Sequence, residues 1–130
     1  MHEGDIIREY ELAGGVAALV RDASRHYFGG YYHVRLLVTA DVPLRDAWFG
    51  SGAEYEDALG RLGGTARFSR TLEKMAVPLA EVDAVRSSLL DSFEANLRAY
   101  LSNPDFPRRF VLSEYAKSRK AVAPRGYALA

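Results

Sequence analysis

The chain has 130 residues, 48% apolar and 26% charged, a composition that excludes a disordered, collagen-like or coiled-coil protein and suits a single hydrophobic core. Seventeen basic residues balance seventeen acidic ones, so no net field steers the molecule toward nucleic acid or anionic lipid, and contact with either needs a local patch. The lack of cysteine removes disulfides, thiolate metal sites and thiol nucleophiles, and suits a reducing cytoplasm.

Residues 5 to 12 alternate loosely, with Ile6, Tyr10 and Leu12 on one face and Ile7, Glu9 and Glu11 on the other, and read as a first strand. The segment before them is acidic and lacks a basic region followed by an apolar one, so no signal peptide is expected. Ala13-Gly14-Gly15 turns the chain into a second strand, from Val16 to about Tyr27. Gly29-Gly30 then forms a hairpin tip, because tight primed turns need positive φ and glycine adopts it without steric penalty. The third strand, Tyr31 to Ala40, has the clearest period of two: Tyr32, Val34, Leu36, Val38 and Ala40 share one face.

An irregular stretch, Asp41 to Gly50, leads to Ser51-Gly52-Ala53-Glu54, a capping-box pattern that predicts a helix from residue 52 to the Gly63-Gly64 stop. Thr65 to Val77 reads as a fourth strand, with Ala66, Phe68 and Leu72 in phase and Met75 and Val77 out of phase, so a bulge is expected near Glu73 or Lys74. From Pro78 the main helix carries Leu79, Val82, Val85, Leu89, Phe93, Leu97 and Tyr100 at intervals of three and four, as far as Asn103-Pro104. A short terminal helix after Pro107 and a loose tail from residue 121 complete the chain. These elements predict one α+β domain over residues 1 to 120, an antiparallel sheet of about four strands in the order β-β-β-α-β-α with helices on one face. Ile7 and Leu37 are expected on the uncovered face, which makes a symmetric dimer plausible. No apolar run reaches the roughly 18 residues that span a bilayer.

Register makes the hairpin unusual. With a two-residue Gly29-Gly30 loop, His26 would face His33 and Arg21 and Arg25 would oppose the buried side of strand three, whereas Val16, Ala18 and Val20 demand the other phase. One extra residue must lie between, and the polar run Asp22 to His26 is the expected place. Tyr and Arg are enriched at binding hot spots, so Asp22, Ser24, Arg25, Tyr27, Tyr31, His33 and Arg35 are the candidate binding residues.

Other chemistry is weaker. His26 and His33 with Asp22 supply metal-ligand types but no ligand spacing, so a small-ligand or metal site there is an alternative rather than the main expectation. Asp22, Ser24 and His26 name a hydrolytic triad but sit on one strand, whose neighbours point to opposite faces, and Gly60 to Gly64 follows a helix where a phosphate loop follows a strand. Phe106-Pro107-Arg108-Arg109-Phe110 and Lys117-Ser118-Arg119-Lys120 interleave charge and rings in a segment of net charge +4 from residue 104 onward, which raises RNA binding as a second alternative. Overall neutrality disfavours it. The expected protein is a cytoplasmic, non-catalytic module, with no cofactor and no membrane contact, that uses its 22–35 hairpin to bind a protein partner or a second copy of itself.

Overall fold

Strand-forming alternation in the middle of the chain sets the architecture. The computed structural model describes the backbone of residues 4 to 128 and the side chains of residues 4 to 120. Its central strand is β4 (Tyr31–Pro43), whose even positions Val34, Leu36, Val38, Ala40 and Val42 are all fully buried. β5 (Thr65–Pro78) runs antiparallel along one edge of β4 for its whole length. The opposite edge is shared by β2 (Val16–Asp22) and β3 (Arg25–Phe28), and β1 (Asp5–Leu12) pairs outside β2. The sheet therefore has five strands where about four are expected, because the second expected strand is divided at Ala23-Ser24.

Side chains cause that division. Asp22 Oδ1 accepts the Ser24 amide at 3.0 Å, and Ser24 Oγ accepts the Arg35 amide at 3.0 Å, so polar side chains take the bonds a continuous ladder would use. The Ala23 amide still donates to Arg35 O at 2.9 Å, which keeps the two halves against the same strand.

The helices cover the even-numbered face. α1 (Gly52–Leu62) starts as its pattern requires, with Ser51 Oγ accepting the Glu54 amide at 3.2 Å, and Glu54 reaches back to the Gly50 amide at 2.9 Å. α2 (Val82–Ser92), a π turn at Phe93–Leu97 and α3 (Arg98–Ser102) form one continuous helix, and α4 (Phe106–Ala128) follows. Phe93, Leu101 and Val111 are fully buried against the sheet. α4 is longer than the short helix expected, its backbone helical to Ala128; the side chains of the tail expected from residue 121, and residues 129 and 130 altogether, lie outside the described residues. Among the described residues no helix is long and apolar enough to cross a membrane.

Single-residue insertions correct the expected pattern in four places. In β1 the register shifts between Ile6 and Arg8, so Ile7 packs on the core while Ile6 is 48% exposed, the reverse of the expected assignment. In the hairpin the extra residue is Tyr27, between the pairs His26 with Tyr32 and Phe28 with Tyr31, and lies nearer the tip than the expected Asp22–His26. The break at Ala23-Ser24 leaves the register unchanged, since Asp22 with Leu36 and Arg25 with His33 belong to one alignment.

In β5 the bulge falls at Met75–Ala76, one or two residues beyond the expected site, and returns Val77 to the core while Met75 stays exposed. In the long helix, the Arg98 amide bonds to Phe93 O, five residues back, so the buried stripe ends at Leu101 and the expected Tyr100 is 54% exposed.

Ala76 has φ 54°, a left-handed conformation that strains any residue with a Cβ. Ala76→Gly should therefore stabilise the fold by about 0.5–1 kcal/mol, the relief of strain exceeding the added entropy of the unfolded chain. Urea unfolding would show a higher midpoint at unchanged slope; a lower midpoint would mean the bulge tolerates its alanine without strain.

Candidate functional site

The divided strand creates a concavity. Where β1 begins opposite Asp22 and β3 starts, the sheet edge is open, and a cavity of about 1050 Å³ takes in Gly4, Asp5, Asp22, Ala23, Ser24, Arg25, His26, Tyr32, Arg35 and Leu37 from the sheet and its connections, Leu79 from the short turn that precedes the long helix, and Val82, Asp83 and Arg86 from the helix itself. Gly4 has φ 101°, and a Cβ there would sit 2.2 Å from Asp22 O, so only glycine lets the chain pass so close to the site.

Asp22 ties the cavity together. Its Oδ2 lies 2.7 Å from Arg86 Nε, joining the sheet to α2, while Arg86 Nη1 reaches Asp83 Oδ1 at 2.7 Å. Burial pushes the Asp22 carboxyl up, but the Ser24 side chain and amide and the Arg86 guanidinium outweigh it and hold the group below the ordinary carboxylate value. Arg86 is held above the ordinary guanidinium value: burial lowers it, and Asp83 and Asp22 more than compensate.

Arg35 is different. Its cross-strand partner is Glu73, but Glu73 Oε1 bonds instead to His33 Nε2 at 2.5 Å, and the buried Nε of Arg35 has no hydrogen-bond partner.

Of the seven sequence candidates, Asp22, Ser24, Arg25 and Arg35 meet in this cavity. His33 does not, being buried beside Glu73. Tyr27 and Tyr31 stand at the hairpin end, 55% and 46% exposed. Arg86 escapes sequence inspection, although a charged residue directly after Val85, beside the apolar stripe of an amphipathic helix, is a usable signal.

The extra residue at Tyr27 also separates the two histidines: His26 pairs with Tyr32 and bonds to Gly29 O, while His33 pairs with Arg25, so they occupy opposite faces. Among the described residues no three His, Cys, Asp or Glu side chains group as metal ligands.

A second concavity, about 640 Å³, lies between β5 and α4. Its phenylalanine rings are engaged with one another, Phe106 stacking on Phe110 at 5.5 Å and both meeting Phe68 at 5.8 Å, while Tyr100 on the same lining is 54% exposed. Arg67 and Lys117 in it are already paired with Asp41 and Glu114.

Comparison with protein-family models, curated protein sequences and solved structures returns no match.

Proposed function

We propose that the protein is a non-catalytic cytoplasmic module that associates with a second copy of itself through the end of the β3–β4 hairpin. One observation carries this reading: of the seven large hydrophobic side chains exposed among the described residues, Tyr27, Phe28 and Tyr31 lie in the hairpin, Leu79 bonds to its tip, and Met75 stands three residues before Pro78, the partner of Tyr31. Tyr31 pairs with both Phe28 and Pro78, and the Leu79 amide donates to Gly30 O at 3.2 Å, which joins the hairpin tip and the end of β5 into one surface. Contiguous exposed apolar surface of this kind marks an interaction site.

A second copy is favoured over a differently charged partner. The chain has no net charge, so two copies meet without an excess of one sign to repel them. Beyond β4, the described strands leave the outer edge of β3 unpaired, which offers backbone groups to the partner.

Phe28 is 73% exposed, so its replacement should leave the monomer folded. Light scattering after gel filtration should report a dimer for the parent and a monomer for Phe28→Asp. A parent chain that stays monomeric at every soluble concentration would overturn the reading.

A further inference from the structure

The geometry points to an oxyanion-binding site at Arg25 and Arg35, taking a phosphate or carboxylate group of a small ligand into the cavity at the base of the hairpin. The inference does not depend on what the hairpin end docks against. Among the described residues, the side-chain nitrogens and oxygens that are buried without a hydrogen-bond partner are the Nε atoms of Arg35 and Arg86, and both arginines line this cavity. Arg86 Nε is at least held by the Asp22 charge at 2.7 Å, though not in hydrogen-bond alignment. Arg35 has no such neighbour.

The pairing leads the same way. Arg86 meets both Asp22 and Asp83, and Glu73, the cross-strand partner of Arg35, turns to His33, so none of these three carboxylates neutralises Arg35. Arg25 makes no side-chain hydrogen bond or ion pair among the described residues. Because Arg25 pairs with His33, it stands diagonally from Arg35 on the same face, a spacing of roughly 7–8 Å between backbones that lets two guanidinium groups converge. Two unpaired guanidiniums in one concavity repel each other until an anion lies between them, and the planar fork of arginine matches the paired oxygens of phosphate or carboxylate.

The test is a titration of the full chain with inorganic phosphate and, separately, with citrate, each against sodium chloride at matched ionic strength, following the melting temperature and the Nε–Hε NMR signal of Arg35. A saturable rise in melting temperature with a shift of that signal is expected for at least one anion, and the tighter of the two identifies the ligand class. Arg25→Ala, at an exposed position, and Arg35→Gln should each weaken binding about tenfold or more, with Arg35→Lys intermediate because it keeps charge but loses the fork. Neither anion differing from chloride, or both variants binding as tightly as the parent, would overturn the assignment. Repeated in Phe28→Asp, the titration should be unchanged; loss of binding there would refute a site contained in one chain.

Discussion

Phe93→Ala is expected to lower the unfolding free energy by about 3–5 kcal/mol, the range for emptying a buried aromatic site. Phe93 is fully buried, its ring lies 5.4 Å from that of Tyr10, and it stands at the start of the π turn, where the helix crosses from β1 toward β5. The site should collapse poorly. Its neighbours are strand side chains fixed by the sheet ladder and a helix whose turn is already wider than an α turn, so little can move in to fill the space. A domain of this size holds only about 5–15 kcal/mol in total, so the variant should melt roughly 10 °C or more below the parent. Urea and thermal unfolding measure it directly, with Phe93→Leu as the smaller change; a loss under about 1 kcal/mol would show that the helix repacks freely.

Asp22→Asn is expected to cost about 2 kcal/mol at neutral pH, because it removes the charge that Arg86 meets at 2.7 Å while sparing the oxygen that accepts the Ser24 amide. The side chains of Asp22 and Arg86 are only 21% and 30% exposed, so solvent screens the pair incompletely. The pH dependence has a definite sign. The Asp22 carboxyl is depressed in the folded protein, so its contribution is complete above the ordinary carboxylate value and is lost as pH falls through the lower folded value. The gap between parent and variant should thus be constant near neutrality and close in acid, below about pH 4. Urea midpoints across a pH series would show it. A gap that persists unchanged into strong acid would mean that the pair contributes through shape rather than charge.

How much of this was legible in the sequence differs between phase and position. Strict alternation in Tyr31 to Ala40 marks the central strand, and Val16, Ala18 and Val20 show which face they share with it. From those facts it follows that one residue must be extra in the hairpin. They cannot say which one, because every polar residue between Val20 and the glycine tip satisfies the pattern equally well. The structure selects Tyr27, since the side chains of Asp22 and Ser24 hold their own stretch to Arg35 without spending a residue.

The same physics explains β5, where Val77 must be in phase but Glu73 to Ala76 are all exposed and so indistinguishable. The helix carried a usable hint. Phe93, Leu97 and Leu101 are spaced by four and four, which drifts off a regular α-helical face and is corrected by one wide turn.

The candidate site was half legible. Polarity and aromatic content singled out residues 22 to 35, but their division into an arginine-bearing cavity and an apolar end depends on Arg86, Met75 and Leu79, distant in sequence and brought in by the helix and by β5.

The two bulges that flank β4, at Tyr27 on one side and at Met75–Ala76 on the other, lie at nearly the same level of the sheet. Below that level the strands keep one phase, and above it both outer strands have slipped against β4 by a residue. Bulges of this kind increase the local twist, so the pair marks off the hairpin end of the sheet as a blade with its own phase. Substitutions in the blade can then vary its outward side chains without re-phasing the buried positions from Val34 to Val42, which makes it a region where recognition can diverge while the scaffold beneath is held constant.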